Sequence, residues 1–91
     1  MANDKINAVH YAPHYLKSYG RLPERIKRLQ NEKERMFRRN PFEAILRTHK
    51  LKGKLAELWS YSVNWQCRVL FRFIDERTVI FYDIGTHEIY K

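Results

Sequence analysis

The sequence predicts an α+β domain: an N-terminal strand and a two-helix hairpin packed on a small, mainly antiparallel β-sheet. Three observations carry that prediction. Apolar residues recur at helical spacing through residues 13–40, they alternate in two runs, Leu58–Trp65 and Cys67–Ile74, ahead of a β-prone run at Thr78–Ile84, and a lysine-rich loop joins the two regions. The 91 residues are read as one domain, 1–91, because a fraction of this length could not bury a core of its own. A hydrophobic fraction of 44% and thirteen aromatic residues separate the chain from disordered sequences, which are poor in both.

Met1 to Asp4 read as a loose end. From Ile6 to Tyr11 the alternation of Ile6, Ala8 and His10 with Asn7, Val9 and Tyr11 suits a first strand. Pro13 fits the first turn of a helix, where its missing N–H costs nothing, and Tyr15, Leu16 and Tyr19 recur at helical spacing before Gly20 offers a stop. Pro23 opens a second helix whose apolar stripe is Leu22, Ile26, Leu29, Met36 and Phe37, with Lys33 interrupting it, and Asn40 and Pro41 end it. Two helices joined by so short a turn should pack antiparallel and bury their stripes against a sheet.

Phe42, Ile45 and Leu46 are expected to anchor the connection to the basic loop, which holds His49, Lys50, Lys52, Gly53 and Lys54. The strand that follows, Leu58 to Trp65, puts Trp59, Tyr61, Val63 and Trp65 on its core face and leaves Ser60, Ser62 and Asn64 on an open one. Cys67 to Ile74 continues the pattern, with Val69, Phe71 and Phe73 inward and Arg68 and Arg72 outward, so the open face is polar and cationic. Asp75 to Arg77 supplies a turn and Thr78 to Ile84 is a third β-prone run. His87 and Tyr90 follow, at the edge of the sheet near that open face.

The charge is concentrated. Arg21 to Lys54 contains twelve Lys and Arg against four Glu, which accounts for the whole net charge of +8 and suits a polyanion, an acidic partner protein, or a plain solvated helix face. Cys67 stands alone, so neither an intramolecular disulfide nor a cysteine metal site can form, and a reducing cytoplasm fits. No signal peptide or membrane span is visible, and no metal or cofactor is expected. Cys67 itself reads as a small core hydrophobe rather than a nucleophile.

The residues that could carry chemistry are His49 with Lys50, Lys52 and Lys54 on the loop, Arg68 and Arg72 on the sheet, and His87 with Tyr90 near the end. Metal-free RNA cleavage needs a base for the 2′-hydroxyl, an acid for the leaving 5′-oxygen and cations around the phosphorane. Histidine titrates near neutrality and arginine pairs with phosphate oxygens, so the residue types match. Each also has a plainer reading: a surface histidine at His49, a strand cap at His87, an ion pair of Arg68 with Asp83 or Glu88, and generic anion contacts at the lysines.

Four ordered segments, Leu-Arg-Thr-His-Lys-Leu-Lys-Gly-Lys-Leu, Trp-Ser-Tyr-Ser-Val, Cys-Arg-Val-Leu-Phe-Arg-Phe and Asp-Ile-Gly-Thr-His-Glu-Ile-Tyr, resemble the RelE/ParE superfamily of toxin–antitoxin toxins, on its RelE, YoeB and YafQ side. The resemblance implies a toxin of a type II system, held inactive by a cognate antitoxin and, when released, acting as a ribosome-dependent endoribonuclease on mRNA in the A site. By position it implies phosphate contact for Arg68, a general base at His49, a general acid at His87, a terminal aromatic at Tyr90 and supporting phosphate contacts at Lys52 and Lys54. Ser60 and Ser62 stand where RelE has lysines, and Gln66 and Cys67 where YafQ-type toxins have aspartate and tryptophan, so the loop lysines and Arg72 would have to supply the charge. The division of acid and base between His49 and His87 stays open. The same fold also implies two alternatives: a ParE-type toxin poisoning DNA gyrase, and a catalytically inactive homologue that only binds its antitoxin.

Overall fold

The computed structural model describes residues 4–86. Five strands, β1 (Ala8–Tyr11), β2 (His49–Lys50), β3 (Trp59–Ser62), β4 (Arg68–Asp75) and β5 (Thr78–Gly85), form one sheet in the order β1-β5-β4-β3-β2. Only β1 is parallel to its neighbour; the other pairs are antiparallel. Two helices, α1 (Pro13–Gly20) and α2 (Glu24–Arg39), complete the α+β architecture expected from the pattern.

The helices begin at prolines for the reason read from the sequence. Pro13 occupies the first position of α1, Pro23 caps α2, and Asn40 terminates α2 with extended backbone. Arg77, in the turn between β4 and β5, ties down the N-terminal segment: its carbonyl accepts from the Asn7 and Ala8 amides, and its guanidinium donates to Asn7 Oδ1 at 2.7 Å.

Strand alternation places Tyr61, Val69, Phe71, Val79, Phe81 and Ile84 in the core with Phe37 of α2 and Tyr15 of α1. Phe37 is the hub: its ring centroid lies 4.9 Å from those of Tyr61 and Phe71 and 5.7 Å from that of Phe81. Such stacked and edge-on contacts add to the gain from burying the rings themselves. One polar side chain joins them. Gln30, fully buried on α2, donates to the Tyr15 hydroxyl at 3.0 Å and accepts from the Tyr61 hydroxyl at 2.9 Å, linking α1, α2 and β3. Desolvation raises the pKa of both phenols above the ordinary value.

Three expectations need correction. β3 stops at Ser62, so Trp65 does not reach the core: Asn64 Oδ1 accepts from the Gln66 and Cys67 amides, the chain reverses, and Trp65 is left 80% exposed. Ser60 and Ser62 are buried rather than open, because they are short side chains in mid-sheet: Ser60 sits between His49 and Leu70, and Ser62 under Arg68. Of the connection residues, Leu46 is buried but Phe42 and Ile45 are exposed; Phe42 lies on the rings of Trp59 and Phe73 at the sheet margin.

Candidate functional site

Arg68 opens β4 opposite Ser62, and its Nη1 donates to the Ser62 hydroxyl. That bond fixes a half-buried guanidinium at the end of the sheet, beyond the two residues at which β2 pairs with β3. A cleft of about 350 Å³ opens there, lined by Leu29 and Lys33 of α2, Ile45 and Arg47 of the connection, and Ser62, Val63, Asn64, Trp65 and Arg68 of the β3–β4 hairpin. Three of those residues are cations and none is a carboxylate.

The connection positions the second cation. Ala44–Leu46 form a single 3₁₀ turn, buried through Leu46, and Arg47 leaves it with φ 52° and ψ 39°. This left-handed conformation is uncommon for a residue with a side chain. It turns Arg47 back so that its guanidinium carbon lies 5.0 Å from the Trp65 ring centroid. Arg47, Trp65 and Lys33 were not singled out as site residues in the sequence. The one available signal was Lys33 breaking the apolar stripe of α2, at the point where the helix faces the cleft and not the core.

The loop residues expected to join Arg68 are dispersed. His49 shares the sheet face of Arg68 through the pairs His49–Ser60 and Ser62–Arg68, but it lies two strands away and two residues along, about 10 Å across and 7 Å along by ordinary strand spacing. It is exposed, and its Nδ1 lies 3.0 Å from the Arg47 carbonyl. That bond sets the ring's orientation on the same segment that presents Arg47. His49 and Lys50, which the sequence reads as loop, form the short strand β2.

Lys54 meets Arg72 across a groove of about 490 Å³ between the Gly53–Leu58 segment, Arg72 and Tyr82. Lys50 lies near Arg72 in a second shallow depression beside Trp59 and Phe73, and Lys52 is exposed. The cations therefore form two groups, one around Arg68 and one around Arg72. His87 and Tyr90 lie outside the described residues, as does Glu88.

The suggested ion pair of Arg68 with Asp83 is not formed: Asp83 instead meets His14 Nε2 at 3.1 Å, because α1 passes along β5 beyond the end of β1. Cys67 is buried, and desolvation pushes its thiol up to about 11, so it is protonated at neutral pH and unsuited to nucleophilic work. Among the described residues no group of three His, Cys, Asp or Glu could hold a metal ion, and no helix is long and apolar enough to cross a membrane.

No protein-family model matches the sequence, and no curated protein matches it. Solved structures do. The YoeB/ParE toxin from Agrobacterium tumefaciens superposes with a TM-score of 0.75 over 89% of this chain and 99% of its own, at 20% identity. The chain has the fold of RelE/ParE-type toxins. The RelBE2 toxin–antitoxin complex from Mycobacterium tuberculosis gives a TM-score of 0.73 at 24% identity, covering 88% of this chain and 96% of the other. The DinJ–YafQ toxin–antitoxin complex from E. coli gives 0.73 at 17% identity, covering 93% and 96%. The RelE-like fold expected from the four sequence segments is therefore borne out, with YoeB and YafQ toxins among its structural neighbours.

Proposed function

We propose that this protein is the toxin of a type II toxin–antitoxin system and acts as an endoribonuclease on mRNA in the ribosomal A site. The observation that carries this reading is the presentation of Arg68: a half-buried guanidinium oriented by Ser62, at the mouth of a cleft that Lys33 and Arg47 also line, with no carboxylate among its described lining residues. A planar cation so held suits the phosphate oxygens of an RNA backbone and the negative charge that builds on them during transfer. The fold shared with toxins, two of them solved with their antitoxins, supports the same reading.

In the reaction the 2′-oxygen attacks phosphorus, the bond to the 5′-oxygen breaks, and a 2′,3′-cyclic phosphate remains. Arg68 is assigned to the non-bridging oxygens. His49 is assigned to proton removal from the 2′-hydroxyl and His87 to protonation of the leaving oxygen, with Tyr90 as a further catalytic residue; the two histidines can exchange roles. His49 stands well back from Arg68, so a bound RNA must span that interval or close it. Lys50, Lys52, Lys54 and Arg72 carry the flanking phosphates, and no metal takes part. The antitoxin would cover this basic surface with an acidic segment, in the cytoplasm where ribosomes and mRNA meet.

Primer extension on a defined mRNA, with and without translating ribosomes, tests the reading. Cuts that appear only with ribosomes and weaken in His87→Ala are the expected result. An uncut message together with growth arrest and DNA damage would transfer the assignment to gyrase poisoning.

A further inference from the structure

We propose that the cleft between α2 and the β3–β4 turn is a nucleobase subsite, in which the Trp65 ring stacks on one base of a single-stranded RNA while Lys33, Arg47 and Arg68 hold the adjoining phosphates. The proposal rests on the ribonuclease reading and specifies where, and by which chemistry, the RNA is held.

Four observations converge on the cleft. Trp65 is 80% exposed, whereas the other tryptophan, Trp59, packs its ring edge-on against Phe42 and Phe73. An indole kept in water has no packing role in the free protein, and its flat apolar face matches the face of any base. Second, the Arg47 guanidinium lies over that ring, delivered by a left-handed backbone turn, so cation and aromatic are assembled before any ligand arrives. Third, Lys33 occupies an inward position of the α2 stripe where an apolar residue would extend the core, and there it lines the cleft. Fourth, the volume of about 350 Å³ lies within the range of small-ligand sites, and among the described residues its lining offers anions three cations and no carboxylate.

Stacking platforms interleaved with cations are how proteins hold unpaired RNA, whose bases can be turned out of the strand. An acidic peptide would also meet the three cations, but it would leave the indole face without a counterpart.

The test is fluorescence anisotropy of a fluorescein-labelled single-stranded RNA of roughly eight nucleotides with the full-length protein. Trp65→Ala is expected to weaken binding about 5- to 100-fold, the effect of losing one stacked base, and Trp65→Phe to restore most of it. An RNA of the same length with abasic positions should bind the wild type as weakly as Trp65→Ala binds the intact RNA. Equal affinity of wild type and Trp65→Ala for intact RNA would overturn the subsite. So would abasic RNA binding as tightly as intact RNA, or a ring-dependent affinity found only for an acidic peptide. The abasic comparison uses unmodified protein, so it decides the matter even if a variant fails to fold. Loss of mRNA cleavage in Arg68→Ala beside unchanged RNA affinity in Trp65→Ala would remove the subsite and keep the ribonuclease. Ring-dependent RNA binding by a protein that cuts no mRNA would do the reverse.

Discussion

Phe37 and Trp65 are both large aromatic residues, and they occupy opposite kinds of surroundings. Phe37 is sealed between α2 and the sheet and touches three rings, while Trp65 stands in solvent with one guanidinium over it. The same contrast holds for polar groups. On the helix side the buried amide of Gln30 has a tyrosine hydroxyl at each end, and no buried side-chain nitrogen or oxygen among the described residues lacks a partner. In the cleft three cations gather, with no carboxylate among the described lining residues. One region has completed its interactions within the chain; the other awaits an anion. Stability should therefore reside in the first and activity in the second.

The largest expected effect comes from exchanging the two aromatics for alanine. Phe37→Ala should lose about 3–5 kcal/mol through lost burial and the cavity left behind. For a domain of this size that lowers the melting temperature by roughly 12 °C or more. Trp65→Ala should stay within about 0.5 kcal/mol, as exposed sites usually do. Thermal melts of the two variants measure both, and similar losses would erase the distinction between the regions.

A smaller effect sharpens the core side. Gln30→Leu keeps the side chain's bulk but leaves the buried Tyr61 hydroxyl without its acceptor, a cost of about 1–3 kcal/mol in urea unfolding. Adding Tyr15→Phe and Tyr61→Phe should recover much of it, because no polar group then remains unpaired. If the triple variant is no better than the single one, the amide contributes through shape and not through its hydrogen bonds.

A further effect is one of pH. Burial lifts the Cys67 thiol from its ordinary 9.0 to about 11, and lifts the Tyr15 and Tyr61 phenols in the same direction. Above pH 9.0 the unfolded chain releases a thiol proton that the folded chain retains, so this contribution is complete below pH 9.0 and is lost as the pH rises through about 11. Urea midpoints should fall across that interval, and Cys67→Ala should blunt the early part of the fall. A flat profile would mean the thiol is accessible to water in the folded protein.

Much of the helix-facing half was legible in the sequence because periodicity reports burial. Val69, Phe71 and Phe73 alternate with Arg68, Leu70 and Arg72, and burial follows the alternation except at Leu70, which is buried opposite Ser60. The same rule failed at Trp65, where alternation continued in the sequence after Asn64 had already turned the chain. Gln30 lies one turn from Ile26 and two from Phe37 on the inward stripe, but an amide among apolar residues reads as surface until two tyrosines are seen to flank it. β2 is two residues long, too short for any period to appear. Of the site, Arg68 was legible from its resemblance to a known motif. Arg47 was not, because its position depends on a left-handed turn that no local pattern announces.

The most direct test of the division compares mRNA cleavage by wild type, Arg68→Ala and His14→Ala on translating ribosomes, with melting temperatures recorded for all three. His14→Ala removes an exposed imidazole and its contact with Asp83, a loss of about 0.5–1.5 kcal/mol, and should cut like the wild type. Arg68→Ala should melt near the wild type and lose about 100- to 1,000-fold in cleavage rate, the usual cost of removing a preorganised donor from a developing charge. Undiminished cleavage by a well-folded Arg68→Ala would contradict the account.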